Sequence, residues 1–277
     1  MTQRIRAFLL VSPAMLLLVV FFAALTTVLS MSVRNTAGDF TFANYIRFAS
    51  DAHFLGYLWR SIRVACYVTL VALIAGYPIA YVMSRGSRRF ASIITLALAI
   101  QFFSIYVIKM YGWMLMLGNN GVINRFLKFI GLTDAPVRLM YNELGVAIGL
   151  FASALPLMVF PISSVLQNVS SRYEEAANGL GATPLQAFFR ITLPLSAPGV
   201  VGGAVLSYVF CFTAYLTPSL LGGSIFKMIG NLIYDQAMVG FNYGLAGTAA
   251  VVTLLMSLLV VFGINSLGGR LLPGGTR

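Results

Sequence analysis

Long runs of apolar residues alternate with short polar segments along most of the 277 residues of this chain. A helix needs roughly 20 apolar residues to cross the hydrocarbon core of a bilayer, because its backbone N–H and C=O groups must be satisfied within the segment. The pattern predicts an all-α membrane protein with six transmembrane helices in one domain, residues 1–277. The predicted spans are residues 7–29, 64–84, 90–117, 144–166, 199–221 and 247–267.

A polar segment at residues 168–198 separates the fourth and fifth predicted spans. Ser171 lies three residues before Glu174, which is the spacing of a capping box and predicts that a helix begins here. Apolar residues then recur at i, i+3, i+4 and i+7, so this helix is expected to have one apolar face with a small centre. The residues of that face are Tyr173, Ala176, Ala177 and Leu180.

A second short helix is expected after a glycine corner. Gly181 suits the left-handed conformation that ends a helix. An N-cap, a first-turn proline and a capping-box partner follow it, at Thr183, Pro184 and Gln186. The apolar positions that share a face of this helix are Leu185, Phe188 and Phe189. The helix is expected to end by Leu193, because Pro194 disfavours helical geometry in the residue before it.

This predicted helix–corner–helix arrangement, residues 171–189, is called the elbow below. One interpretation is an interfacial loop whose two amphipathic pieces lie on lipid headgroups. The other is a surface that docks into a groove of another protein. The periodicity fits both interpretations.

The composition supports a membrane location. Hydrophobic residues make up 59% of the chain and charged residues 9%, whereas about a quarter of the residues of a soluble domain are charged. The net charge of +11 does not indicate nucleic acid, because the basic residues are scattered through the loops without an aromatic-basic stripe. Anionic lipid headgroups of the bilayer are the expected partner for these charges.

The distribution of charge predicts the orientation. The loop at Ser84–Arg89 holds three arginines in six residues. The loops on the other side are longer and contain Asp39, Asp51, Asp134 and Asp235. Because positive charge accumulates on the cytoplasmic side, both termini and the elbow are expected there.

A broken helix is expected at the far end of the fifth span, where Pro218, Gly222 and Gly223 interrupt the apolar run. Irregular backbone at membrane depth must be satisfied by protein or by a watery cavity. The predicted pore-lining residues nearby are Tyr215, Thr217, Asn231, Tyr234 and Asp235. The alternative is that these side chains form hydrogen bonds between helices.

Charged, thiol and imidazole groups near the spans yield no catalytic site. Lys109 is the one charge inside a predicted span; it either snorkels to the interface or pairs with Glu143 or Asp235. Cys66 and Cys211 lack metal-ligand or redox spacing and are expected to pack in the core. His53 is expected at the surface.

At the elbow the sequence resembles the permeases of binding-protein-dependent ABC importers. Their signature reads E-A-A, three residues, G, nine residues, I-x-L-P. Every position of it is present here, as Glu175, Ala176, Ala177, Gly181, Ile191, Leu193 and Pro194. The segments "YPIAYVMSR" and "PSLLGGSIFKMIGNLIYDQ" look most like the polyamine subgroup, which transports spermidine and putrescine.

The resemblance implies a type I importer permease fold in which residues 168–198 form a cytoplasmic coupling loop on an ATPase subunit. Glu174 and Glu175 would offer carboxylates to that partner, Ala176 and Ala177 a close contact, and Gly181 the turn. The implied partners are ATP-binding subunits, a second permease of identical or similar sequence, and an extracytoplasmic solute-binding protein. The implied location is the inner membrane.

Other classes of protein are less consistent with the sequence. None of Lys109, Lys128 and Lys227 follows a glycine, so the chain has no phosphate-binding loop; it is not expected to be an enzyme, and it needs no cofactor of its own because a partner binds ATP. A secondary transporter is the main rival, but no clear repeat and few intramembrane ionisable groups are present. An opine, a phosphonate, thiamine or iron remains an alternative to a polyamine as the substrate.

Overall fold

The computed structural model describes residues 2–34 and 38–271, and the side chains of residues 12–34, 38–266, 268 and 269. Twelve α-helices occur in this part of the chain. They are α1 Thr2–Ser32, α2 Ala43–Ser50, α3 Ala52–Arg85, α4 Arg88–Phe103, α5 Tyr106–Leu117, α6 Val122–Phe129, α7 Glu143–Asn168, α8 Arg172–Gly179, α9 Pro184–Ala187, α10 Leu193–Phe212, α11 Ile229–Tyr234 and α12 Tyr243–Leu271. Three π-helical turns lie at Phe188–Thr192, Pro218–Gly222 and Asp235–Val239.

Five helical segments of the described chain are long and apolar enough to cross a bilayer. They are Ser12–Ser32, Ala52–Arg85, Glu143–Asn168, Pro184–Phe212 and Tyr243–Ser266. A sixth span exists if α4 and the helices that follow it count as one, but they are bent by 103°. The expected all-α architecture with six spans is thus present, with one span broken.

The third predicted span, residues 90–117, is not one straight helix. Helix α4 ends at Phe103, and Ser104 and Ile105 have extended ψ angles of 142° and 123° before α5 begins at Tyr106. The apolar run continues through the break, so hydropathy did not reveal it. The Lys109 Nζ donates to the Gln101 carbonyl oxygen at 2.9 Å, which satisfies one of the carbonyls that the end of α4 leaves open.

The fifth span begins earlier and ends earlier than predicted. The chain is helical from Pro184 to Phe212, so the expectation that the helix ends by Leu193 is wrong. A π turn precedes Pro194, and in it the Leu193 N–H bonds to the Phe188 carbonyl, five residues back. Such a wider turn lets the helix continue into a proline in its first turn, where no N–H is needed.

The expected broken helix end is confirmed. Helix α10 stops at Phe212, and a short helical turn containing Pro218–Gly222 follows. This turn packs against α7, because a Cβ atom at Gly149 would lie 2.5 Å from the Leu221 Cδ1 atom. The Leu221 carbonyl accepts a hydrogen bond from the Tyr141 N–H at 2.7 Å, so protein groups satisfy the irregular backbone.

A seam of small residues joins α7 and α10. Gly199, Gly203 and Ser207 are buried at intervals of four residues on one face of α10. A Cβ atom at Gly199 would lie 2.8 Å from the Pro161 carbonyl oxygen, so only glycine allows this approach. The Ser207 hydroxyl donates to the Ala154 carbonyl at 3.3 Å. Close backbone approach and interhelical hydrogen bonds are the usual basis of helix association in lipid.

The chain forms two compact units. The first consists of Met1–Gly56 and Leu232–Leu255; in it α12 packs on α1, and the Thr248 hydroxyl donates to the Ser32 carbonyl at 3.2 Å. The second consists of Tyr57–Asn231 and Met256–Arg277. Its core lies where α3, α7 and α10 meet, and it includes the elbow.

Candidate docking and coupling site

The glycine corner and the second helix of the elbow have the expected geometry. Gly181 has φ +89°, the left-handed conformation that glycine adopts without steric cost. The Gln186 N–H donates to the Thr183 Oγ1 at 3.3 Å, and the Thr183 N–H donates to the Gln186 Oε1 at 3.0 Å. Both predictions, the left-handed glycine and the capping box at Thr183, are confirmed.

The first capping box is wrong. Helix α8 does begin after Ser171, but the Ser171 side chain makes no capping hydrogen bond and its backbone is already helical, with φ −60° and ψ −21°. The Glu174 carboxylate does not return to the Ser171 N–H, because it is bound by donors from elsewhere in the fold. Local spacing alone did not reveal this competition.

Glu174 points into the protein. Arg85, the last residue of α3, donates to its Oε1 atom from Nη2 at 3.1 Å and from Nε at 3.3 Å. The Tyr81 hydroxyl donates to Oε2 at 3.1 Å, and the Thr192 hydroxyl donates to Oε1 at 2.9 Å. The expectation that Glu174 offers its carboxylate to a partner is therefore corrected: the side chain is engaged within the chain.

Arg85 also reaches the end of α7. Its Nη1 atom donates to the Val169 carbonyl at 2.7 Å, and Val169 is the residue that follows the last turn of α7. Sequence analysis did not identify Arg85, Tyr81 or Thr192 as part of the site. Arg85 was noted in the sequence only as part of the arginine-rich loop, which was used to predict the orientation of the chain in the membrane.

The outer side of the elbow is exposed and apolar. Large hydrophobic side chains of both arms are open, with exposed fractions of 58% for Tyr173, 91% for Leu180, 68% for Leu185 and 56% for Phe189. Glu175 and Ala176 are exposed beside them, and Ala177 is half-buried. Exposed apolar groups gathered on a polar segment are typical of an interaction surface.

The inner side of the elbow holds it to the spanning helices. The Phe188 ring packs edge-on against Tyr77 and Tyr81 of α3, with ring centroids 5.4 Å and 6.1 Å apart. The prediction that Phe188 shares a face with Leu185 and Phe189 is therefore wrong: its ring packs inward on α3, whereas the other two side chains are exposed. Ile191, Leu193 and Pro194 of the signature are half-buried at the junction with α10.

The residues predicted to line a pore have different environments. Thr217 is fully buried and shares a hydrogen bond with the Tyr106 hydroxyl. Asn231 is 2% exposed, and its Nδ2 atom donates to the Ser219 hydroxyl at 2.7 Å and to the Tyr215 carbonyl at 3.3 Å. In this conformation Thr217 and Asn231 link segments of the chain, which is the alternative considered for them.

The other three predicted pore residues are more exposed to solvent. Tyr215 and Asp235 are half-buried, and Tyr234 is 42% exposed. Pore lining stays a prediction for these residues.

The Lys109 side chain makes two contacts at the break between α4 and α5. Besides its hydrogen bond to Gln101, its Nζ atom lies 5.4 Å from the centroid of the Tyr106 ring, a cation–π arrangement. Glu143, one of the acids considered as its partner, forms an ion pair with Arg63 instead. Lys109 is therefore part of the break between α4 and α5.

The predictions for the two cysteines and the histidine are confirmed only in part. Cys211 is buried, as expected, but Cys66 is exposed on α3, so the expectation of core packing is wrong for it. His53 is exposed, and its backbone N–H donates to the Asp51 carboxylate at 2.8 Å, near the start of α3. The expected surface position of His53 is confirmed.

The fold is that of a multi-span membrane protein, and the elbow is a pair of short helices with exposed apolar side chains. A family model described as "Binding-protein-dependent transport system inner membrane component" matches residues 3–273. The chain belongs to this family: it is an inner-membrane permease component of a binding-protein-dependent importer.

Curated relatives agree with the family. The spermidine/putrescine transport system permease protein PotB of Haemophilus influenzae is 31% identical over 204 residues, 73% of this chain and 71% of that protein. PotB of Escherichia coli is 32% identical over 224 residues, 80% of this chain and 81% of that protein.

Solved structures share the fold. A bacterial ABC transporter involved in the import of alginate has a chain with a TM-score of 0.71 and 18% identity, covering 97% of this chain and 98% of that one. A chain of the MetNI methionine ABC transporter has a TM-score of 0.55 over 80% of this chain and 96% of that one. At these identities the likeness concerns the fold.

Proposed function

We propose that this chain is a permease subunit of an ATP-driven importer that moves a polyamine, such as putrescine or spermidine, across the inner membrane. In this proposal the elbow docks on a cytoplasmic ATPase subunit, which binds and hydrolyses ATP. A second permease, identical or similar, completes the pore, and an extracytoplasmic binding protein delivers the substrate. ATP-driven closure of the ATPase pair moves the elbow, and the spanning helices change between two arrangements.

The exposed apolar patch on both arms of the elbow carries the docking proposal. Tyr173, Leu180, Leu185 and Phe189 remain open in the folded chain, although burial of such side chains contributes roughly 1.5 to 3 kcal/mol each. Glu175 adds an exposed carboxylate for a basic partner residue. A partner with a shallow apolar groove and a cationic rim fits this surface.

Docking is tested by co-purification of the tagged chain with the ATPase subunit from its native membrane. Glu175→Arg reverses the charge at this exposed position and is expected to lose the ATPase subunit. The matched control is Asp134→Arg, the same change in charge at an exposed loop residue, which is expected to retain it. If the wild-type chain binds no ATPase subunit, the docking proposal fails and the elbow is interpreted as a loop that lies on lipid headgroups.

The substrate proposal rests on the PotB relatives, which match about four-fifths of this chain at 32% identity. Uptake of labelled putrescine and spermidine is measured in cells that express the complete importer and in cells that lack this chain. Saturable uptake that requires this chain supports a polyamine. Uptake of an opine, a phosphonate, thiamine or ferric iron instead would keep the mechanism and change the substrate.

The proposed orientation places both termini in the cytoplasm. This orientation would also place Arg4, Arg6, Arg270 and Arg277 in the cytoplasm; they lie outside the residues whose side chains the structure describes. The exposed Arg88 and Arg89 at the start of α4 would then face the cytoplasm. Alkaline phosphatase fused after Arg277 is expected to be inactive, because it folds only outside the cytoplasm; an active fusion would reverse the topology.

A further inference from the structure

Two neighbouring glutamates of the elbow face in opposite directions. Glu175 is exposed on the outer side. The Glu174 side chain is only 18% exposed and pairs with Arg85, whose side chain is 16% exposed. A carboxylate accepts hydrogen bonds and donates none, and the Glu174 carboxylate accepts four.

The donors to Glu174 come from two different spanning helices. Arg85 and Tyr81 lie on the last turns of α3, and Thr192 immediately precedes α10. Helix α8, which carries Glu174, has no buried residue. Apolar packing therefore contributes little to holding this arm of the elbow, and the carboxylate is its main attachment to the bundle.

Arg85 extends the attachment to a third spanning helix through its hydrogen bond to the Val169 carbonyl at the end of α7. The buried hydrogen bond between the Tyr77 and Ser196 hydroxyls, 2.8 Å long, ties α3 to α10 one turn deeper. The ends of α3 and α10 thus meet at Glu174, and Arg85 links the end of α7 to the same cluster.

We propose that Glu174 is a positioning residue that transmits movement of the elbow to α3 and α10, whereas Glu175 contacts the ATPase subunit. This inference rests on the proposed function, because it assigns the route by which docking at the elbow acts on the pore. Leaving a half-buried charge unpaired is unfavourable, so α8 does not move away from Arg85 and Thr192 independently. A displacement of α8 draws the ends of both helices with it.

The test uses the assembled importer in proteoliposomes, with its ATPase, its second permease and its binding protein, and labelled putrescine as the probe. Three quantities are measured: the ATPase subunit retained by the tagged chain, the rate of ATP hydrolysis, and putrescine taken up per ATP hydrolysed. Glu174→Gln keeps a hydrogen-bonding side chain of similar size and removes the charge. We expect it to retain the ATPase subunit and to lower uptake per ATP by about tenfold, within the usual range of coupling between sites.

Two further variants separate coupling from folding. Thr192→Val removes the hydrogen bond to α10 and leaves the Arg85 pair, so a smaller loss of uptake per ATP is expected. The exchange Arg85→Glu with Glu174→Arg restores an ion pair and is expected to recover part of the coupling. Asp134→Asn, which removes the same charge at an exposed loop residue, is the control and is expected to match the wild type.

The result that overturns the proposal is unchanged uptake per ATP in Glu174→Gln and Thr192→Val. Loss of the ATPase subunit in Glu174→Gln also overturns it, because Glu174 would then belong to the docking surface. If Glu174→Gln does not fold, the proposal is tested by Thr192→Val and by the Arg85→Glu with Glu174→Arg exchange. A wild-type chain that binds no ATPase subunit overturns the proposed function itself, which is a different result from either of these.

Discussion

The side-chain amide of Gln101 on α4 donates a hydrogen bond to the carbonyl oxygen of Ala152 on α7. Ala152 lies four residues before Pro156, and a proline has no N–H for the carbonyl four residues earlier. Gln101 therefore replaces a helical hydrogen bond that the sequence of α7 removes. The backbone carbonyl of Gln101 in turn accepts a hydrogen bond from the Lys109 Nζ. Gln101 therefore stabilises both the proline site in α7 and the break after α4.

Replacement of Gln101 by leucine is expected to destabilise the chain by about 0.6 to 2 kcal/mol, the range of an interhelical hydrogen bond in a membrane. The cost arises because the Ala152 carbonyl loses its donor in an environment without water. The free energy of unfolding is measured by titration with a denaturing detergent in mixed micelles.

The control for this prediction is the same substitution in a Pro156→Ala background. Alanine restores an N–H at position 156, so the Ala152 carbonyl regains its helical partner and Gln101→Leu should cost less. Equal costs in the two backgrounds would show that Gln101 does not compensate for the proline.

The seam between α7 and α10 should not tolerate a side chain at Gly203. A Cβ atom there would lie 2.9 Å from the Met158 carbonyl oxygen, so Gly203→Ala is expected to cost about 1 to 3 kcal/mol of stability through overpacking. Gly202→Ala, whose nearest neighbour would lie 3.9 Å away, is expected to be neutral or stabilising. Thermal unfolding of both variants in detergent makes the comparison, and equal melting temperatures would contradict close packing at Gly203.

Gly181 is constrained by its backbone, because nothing lies within 4 Å of a Cβ atom placed there and its φ is +89°. Gly181→Val is expected to cost roughly 1 to 3 kcal/mol and to impair transport and its coupling to ATP hydrolysis. Gly179→Val is the matched control, since Gly179 has equal space without a positive φ. Uptake per ATP is measured for both, and undiminished coupling in Gly181→Val would count against the coupling role of the elbow.

The two N-caps of the elbow should differ in importance. Thr183→Ala removes an observed capping box and is expected to destabilise the start of α9 by about 1 kcal/mol. Ser171→Ala removes a side chain that makes no capping hydrogen bond and is expected to have little effect. Hydrogen–deuterium exchange should accelerate at the Gln186 amide in the first variant; equal acceleration at the start of α8 in the second would contradict the observed capping.

The elbow shows which structural features the local sequence pattern predicts correctly and which it does not. The left-handed Gly181 and the capping box at Thr183 were predictable, because both depend on residues within a few positions of each other. The capping box at Ser171 had the same spacing but failed, since Arg85, which lies 89 positions from Glu174 in the chain, competes for the Glu174 carboxylate. A charged donor forms a stronger hydrogen bond than a backbone N–H does.

The sequence by itself determined the family, the membrane location, the number of apolar segments and the signature from Glu175 to Pro194. These follow from composition, from period and from short-range spacing, which need no knowledge of distant contacts. Tertiary structure alone decided where the third span breaks, that the helix passes through Pro194, that Thr217 and Asn231 are buried, and that Glu174 faces inward. The helix continues through Pro194 because of a π turn just before it. The other three depend on which distant group supplies a hydrogen bond in a medium without water, and those partners meet only when the helices pack.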